Sequence, residues 1–137
     1  MIVVDASVAV KWLLPEPGAA AAQRLLTGGD SLLGPGLIRV EVAAVIARKA
    51  RFGEIDAHDA ETAATLWLQA ISDGVVGLVP DEIDLPQAFK LALALGHPLQ
   101  DCLYLALAER LGTPLITADE AFVAKAGRSH PGVRLLR

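Results

Sequence analysis

Hydrophobic residues along the chain form two kinds of segment, short β-branched runs and longer stretches with helical spacing. The runs predict strands at residues 2–4, 31–33, 75–79, 115–117 and 133–136. The helical spacing predicts helices at residues 7–14, 18–26, 37–52, 56–72, 85–95, 98–111 and 120–126. Strands separated by helices predict an α/β fold in which a mostly parallel sheet has helices on both faces.

The length and composition limit the number of domains and the class of protein. With 137 residues, the chain is expected to form a single domain over 1–137. Cys102 is the one cysteine, which excludes an internal disulfide and fits a reducing cytoplasm. Residues such as Asp73 and Lys90 interrupt the apolar runs before they reach the about 18 residues that a membrane span needs. We therefore expect no membrane partner.

The charge balance argues against a protein that binds nucleic acid through a basic surface alone. Twelve basic and sixteen acidic side chains give a net charge of -4, whereas such proteins usually carry a basic footprint. A nuclease is not excluded, because a bound metal ion can supply the positive charge.

Three aspartates fall where a parallel sheet presents its ligand-binding groups. Asp5 ends the first predicted strand, Asp119 follows the strand at 115–117, and Asp101 lies in the first turn of the helix at 98–111. Parallel sheets bind ligands outside the carboxyl ends of their strands. Each aspartate also has a purely structural interpretation, because Asp5 and Asp119 can cap helices and Asp101 can complement a helix dipole.

Glu41 interrupts an apolar helix face. Its neighbours at helical spacing include Ile38 and Val45. A carboxylate among apolar groups is costly unless it is paired or binds a metal. The alternatives are an ion pair with Arg48 or a helix orientation in which Glu41 reaches solvent.

Other constellations do not have the required spacing. Phosphate-binding, dinucleotide-binding and nucleophile-elbow motifs are absent. The histidines are scattered, lack zinc-ligand spacing and are expected to have structural roles: His58, His97 and His130. Three further acids are expected in a solvent-facing loop after Pro80: Asp81, Glu82 and Asp84. The remaining acids form an all-oxygen set suited to Mg²⁺ or Mn²⁺.

Three segments of the sequence, VVDASVAVKWLLPE, VEVAAVIARK and HPLQDCLYLALAERLGTPLITADEAF, resemble the PIN-domain ribonucleases, and among them the VapC toxins of bacterial toxin–antitoxin pairs. The resemblance covers nearly the whole chain. It implies a PIN-like three-layer sandwich and an acidic metal-binding quartet at Asp5, Glu41, Asp101 and Asp119. It also implies supporting hydroxyl groups at Ser7 and Thr117.

The resemblance implies a Mg²⁺-dependent hydrolysis of RNA, with Mn²⁺ as a substitute. Lys11 and Arg39 are expected to contact the RNA backbone. A homodimer and a VapB-like antitoxin that blocks the acidic site are the implied protein partners. An apolar partner surface is expected at Trp12, Leu13 and Leu14, with Trp67 and Leu68 as further candidates unless they pack in the core.

Two other functions compete with a toxin. A PIN nuclease of RNA maturation or quality control would carry the same motifs. A phosphoacceptor regulatory domain shares the arrangement of acids at strand ends. It typically has paired acids after its first strand and a lysine after its last, whereas here Ala6 follows Asp5 and no lysine follows Val133.

Overall fold

The computed structural model describes all 137 residues and contains one sheet of five parallel strands. The strands are β1 (Ile2–Val4), β2 (Leu32–Pro35), β3 (Gly77–Val79), β4 (Leu115–Thr117) and β5 (Val133–Leu135). Seven helices connect them: α1 (Ala6–Leu13), α2 (Ala19–Thr27), α3 (Ile38–Arg51), α4 (Ala57–Ser72), α5 (Asp81–Leu95), α6 (Leu99–Leu111) and α7 (Glu120–Ala126). The predicted α/β sandwich with a parallel sheet is confirmed.

The strand order is β3-β2-β1-β4-β5, so the chain builds outward from β1 first on one side and then on the other. β1 pairs with β2 through Ile2 and Leu32, and with β4 through Val3 and Leu115. The order therefore reverses between β1 and β4. Parallel sheets bind ligands beside such a reversal, at the carboxyl ends of the strands.

Helix α6 lies at the centre of the hydrophobic core. Seven consecutive residues, from Cys102 to Ala108, are buried. A helix that is apolar on all sides is typical of a position covered on all sides, and α6 contacts β1, β2, β4 and α5.

The two tryptophans pack within the chain. Trp67 is fully buried, and its indole N–H donates to the main-chain carbonyl of Arg39 at 3.1 Å. Trp12 is half-buried, and its indole N–H donates to the carbonyl of Ala22 at 2.8 Å. The placement of Trp67 at a partner surface is wrong, because α4 turns this side chain toward α3 and the core.

The expected loop after Pro80 is helical, which corrects the sequence analysis. α5 begins at Asp81 rather than at residue 85, because acidic side chains in a first turn favour the positive end of a helix. Asp81 accepts a hydrogen bond from the main-chain N–H of Leu37 at 3.0 Å. Asp84 is buried and accepts two hydrogen bonds from Arg110 on α6, at 2.6 and 3.0 Å.

No single helix is both long and apolar enough to cross a bilayer. Helices α5 and α6 meet the length and composition criteria only as a pair, and their axes are bent by 118°.

We predict that Arg110→Leu lowers the urea midpoint of unfolding, because it leaves the buried Asp84 carboxylate without its donor. The double variant Asp84→Asn/Arg110→Leu should recover part of the loss, since it removes the buried charge. Equal midpoints for the single variant and the unmodified protein would show that water solvates Asp84 as well as the guanidinium does.

Candidate active site

Asp5 is the most buried carboxylate at the reversal of strand order. It follows β1 directly and caps α1, accepting from the Ser7 main-chain N–H at 3.0 Å. The hydroxyl of Ser7 donates to the same oxygen, and the hydroxyl of Thr117 donates to the other oxygen at 2.5 Å. Both carboxylate oxygens are therefore held by the protein, and only 6% of the residue is exposed.

The two predicted hydroxyl groups connect β4 to β1. The Thr117 hydroxyl accepts from the main-chain N–H of Asp119 at 3.0 Å, and the Ser7 hydroxyl accepts from that of Ala118 at 2.9 Å. Each hydroxyl also donates to Asp5. The turn after β4 is therefore fixed relative to Asp5.

Glu41 lies in the first turn of α3 and is half-buried. The Tyr104 hydroxyl donates to its Oε1 atom at 2.7 Å. The suggested ion pair with Arg48 does not form. Sequence reasoning missed Tyr104, although its position one helical turn after Asp101 was an available signal.

Asp101 and Asp119 lie together with a histidine. Asp119 caps α7, accepting from the Phe122 main-chain N–H at 3.0 Å. One ligand atom from each of His97, Asp101 and Asp119 lies within 4.8 Å of the other two. The purely structural role expected for His97 is therefore incomplete, because its side chain belongs to this group. The four-residue spacing between His97 and Asp101 was the signal.

The pKa values show that these carboxylates act on one another. Burial raises the pKa of Asp5 from 3.8 to about 6, against the hydrogen bonds from Ser7 and Thr117, and the charge of Asp101 raises it further. Burial also raises the pKa of Glu41, against the Tyr104 hydrogen bond, and the same Asp101 charge adds to the shift. The predicted quartet therefore converges around Asp101.

The arrangement fits a divalent cation. Carboxylate oxygens are the ligands that hard cations prefer, and the oxygens of Asp101 and Asp119 lie within 4.8 Å of each other. Burial and the nearby Asp101 charge both disfavour ionised Asp5 and Glu41, and a bound positive charge would offset both effects.

The two cations predicted to bind RNA differ in how free their charged groups are. Lys11 Nζ donates to the carbonyl of Pro17 at 2.8 Å and pairs with Glu16 at 3.3 Å. Arg39 is exposed, and its Nε donates to the carbonyl of Gly36 at 3.2 Å. Arg39 also borders a cleft at the carboxyl ends of β2 and β3, which makes it the more available of the two.

Comparison with known proteins assigns the family. A family model described as the PIN domain matches residues 2–128. The chain belongs to the PIN-domain family. This PIN domain is 34% identical over 119 residues to Ribonuclease VapC12 of Mycobacterium tuberculosis, and the match covers 87% of each chain. It is 32% identical over 127 residues to Ribonuclease VapC3 of Pyrobaculum aerophilum, covering 90% of this chain and 93% of the relative.

A solved structure shares the fold of this PIN domain. The crystal structure of PAE2754 from Pyrobaculum aerophilum matches with a TM-score of 0.73 at 22% identity. The match covers 98% of this chain and 90% of that chain, so the whole sheet and its helices belong to a known architecture.

We predict that Asp5→Asn stabilises the metal-free protein at neutral pH by about 1–3 kcal/mol. Since the native pKa of Asp5 is about 6 and its ordinary value is 3.8, the native state binds more protons between these values. The free energy of unfolding therefore falls as the pH rises from about 4 to about 6, and the substitution removes this contribution. Urea unfolding in a chelator at several pH values measures it. An equally steep fall in the variant would contradict the raised pKa.

Proposed function

We propose that this PIN domain is a metal-dependent endoribonuclease that acts as the toxin of a VapBC-type toxin–antitoxin pair. The observation that carries the proposal is the convergence of Asp5, Glu41 and Asp119 around Asp101, in a chain whose relatives are named as VapC ribonucleases. We place its action in the cytoplasm, as the single free cysteine predicts.

Asp101 and Asp119 would hold the cation, with Asp5 and Glu41 beside them. When bound, a divalent ion lowers the pKa of water and offsets the charge that develops on a phosphate. Mg²⁺ is the proposed ion and Mn²⁺ a substitute, because carboxylate oxygens suit both.

The side chains of Asp5 and Glu41 have different roles in the proposed reaction. Both oxygens of Asp5 accept hydrogen bonds from the chain, so its role is to hold negative charge in a fixed place. Glu41 has one oxygen that accepts from Tyr104 and a second that accepts no bond from the protein. The free oxygen makes Glu41 the better general base, because a base must reach the proton that it accepts. Burial also raises the pKa of Glu41, which favours proton uptake.

The proposed substrate is RNA with an unpaired or looped segment, because the grooves of an A-form helix conceal the base edges. Arg39 would contact a backbone phosphate from the cleft beside α5, which positions the strand without reading its sequence. Lys11 would contribute after giving up its contact with Glu16.

We predict that purified protein cleaves RNA with Mg²⁺ or Mn²⁺ and stops in excess chelator. Asp101→Asn and Glu41→Gln should each lower cleavage by about 100-fold or more. Their metal-free stability should hold or rise, because each removes one repelling charge.

Glu61→Gln on the exposed side of α4 is the matched control and should cleave normally. Full cleavage in chelator would refute the metal dependence, and wild-type turnover in a variant would remove that residue from the site.

Two observations outside the cleavage assay separate the competing functions. Growth arrest on induction, reversed by the product of an adjacent small gene, supports the toxin; cleavage without either effect supports a maturation nuclease. The phosphoacceptor alternative is disfavoured, because Asp5 is 6% exposed and accepts from two hydroxyl groups.

We propose that the antitoxin covers the carboxylates of the site with an arginine. A guanidinium pairs with carboxylates through two parallel hydrogen bonds and would compete with the cation.

We propose further that the protein forms a homodimer through α5. Leu85, Phe89 and Leu93 follow one another at four-residue spacing and are 42%, 57% and 72% exposed. A twofold axis lets one such stripe cover its own copy. Leu85 also lines a cavity together with Leu99 and Leu103 of α6, so the proposed contact would reach α6 at that end of the stripe.

We predict that Phe89→Glu converts the dimer to a monomer, because it places a charge in an apolar contact. Sedimentation velocity measures the mass. Phe52→Glu, directly after α3 at a residue that is 69% exposed, is the matched control and should leave the mass unchanged. A dimeric Phe89→Glu variant would place the interface elsewhere.

A further inference from the structure

His97 is a buried side chain at the edge of the carboxylate group. It lies in the short turn between α5 and α6, and its side chain is 8% exposed. The Nε2 atom lies 2.5 Å from Oδ2 of Asp101. Its other ring nitrogen, Nδ1, is buried and has no hydrogen-bond partner in the protein.

These contacts define the tautomer. The unpartnered Nδ1 carries no proton in this arrangement, because a buried N–H without an acceptor is costly to leave unpaired. The proton then lies on Nε2, which donates to Asp101. The donated hydrogen bond holds Oδ2 of Asp101 in a fixed orientation.

The same contact argues against Nε2 of His97 as a metal ligand. A ring nitrogen binds a cation through an unprotonated lone pair, whereas Nε2 lies 2.5 Å from Oδ2 of Asp101 and shares a proton with that oxygen. Metal-binding carboxylates are commonly oriented by such an outer hydrogen bond.

The ring of His97 also connects the two aspartates of the group. It stacks on Phe122 of α7, with ring centroids 4.6 Å apart and planes at 27°. The main-chain N–H of Phe122 in turn donates to Asp119. The stacking of His97 on Phe122 therefore fixes the start of α6 relative to the start of α7.

We propose that His97 is a positioning residue, which orients Asp101 through the hydrogen bond that it donates, for the binding of a divalent cation. The inference rests on the proposed metal-dependent function. His97 acts through Asp101 and touches neither substrate nor the reacting atoms.

Two amide substitutions test the proposal. The amide nitrogen of His97→Gln can reach the place of Nε2 and donate to Asp101, whereas that of His97→Asn corresponds to Nδ1 and cannot. Calorimetric titration of the purified full chain with Mn²⁺ should show an affinity about 10–100-fold lower for His97→Asn. The affinity of His97→Gln should stay within about threefold of the unmodified protein, as expected where the outer hydrogen bond is kept.

Two controls separate orientation from general structure. His130→Ala removes a similar pair, in which Nδ1 lies 2.8 Å from Glu109 outside the site, and should leave Mn²⁺ affinity unchanged. In cleavage assays, His97→Asn should raise the Mn²⁺ concentration for half-maximal rate while the rate at saturating Mn²⁺ recovers. A loss of folding alone would not give that separation.

These outcomes test the role of His97 separately from the proposed metal-dependent function. Equal Mn²⁺ affinity in His97→Asn and the unmodified protein would overturn the role of His97 and leave the metal-dependent nuclease standing. Equal losses in the Asn and Gln variants would overturn it as well, because the donated hydrogen bond would not be the cause. An unmodified protein that binds no Mn²⁺ or Mg²⁺ would overturn the proposed function itself.

Discussion

The pairing of β1 with β4 is the constraint on which the candidate site depends. The two strands are neighbours, although two strands and six helices separate them along the chain. Asp5 leaves one strand and Thr117 ends the other, and the hydrogen bond between them joins the strand ends. The turn that carries Asp119 is attached to the same threonine. A shift of one strand against the other would therefore move two of the four acids and their supporting hydroxyl groups together.

Helix α6 places the remaining groups around this pairing. Its buried stretch packs on the sheet, so its first turn is brought against the carboxyl ends of the strands. Asp101 lies in that turn, and Tyr104 reaches Glu41 on α3. At its other end Arg110 pairs with α5. One helix thus supplies an acid from its first turn, a donor to a second acid from its buried stretch and an ion pair from its last turn.

The carboxylates of the site lower the stability of the metal-free protein. Burial and the nearby Asp101 charge both disfavour ionised Asp5, and the hydroxyl groups of Ser7 and Thr117 offset only part of this. The continuous hydrophobic core of 29 buried residues tolerates such a local cost. Concentrated like charges are a common feature of functional sites, where destabilising groups are retained for their chemistry.

The sequence by itself determined the order of strands and helices along the chain and the acids at their ends, because periodicity, helix caps and strand ends are local properties. Asp5 and Asp119 could be predicted because they follow β-branched runs. The resemblance to a known family added the quartet as a set. Tertiary structure alone decided that Trp67 lies in the core and that Asp84 pairs across two helices. It also decided that His97 donates to an acid rather than only shaping a turn. Burial and pairing depend on which helices pack against each other. These contacts join residues that are far apart in the sequence, so a local sequence pattern does not predict them.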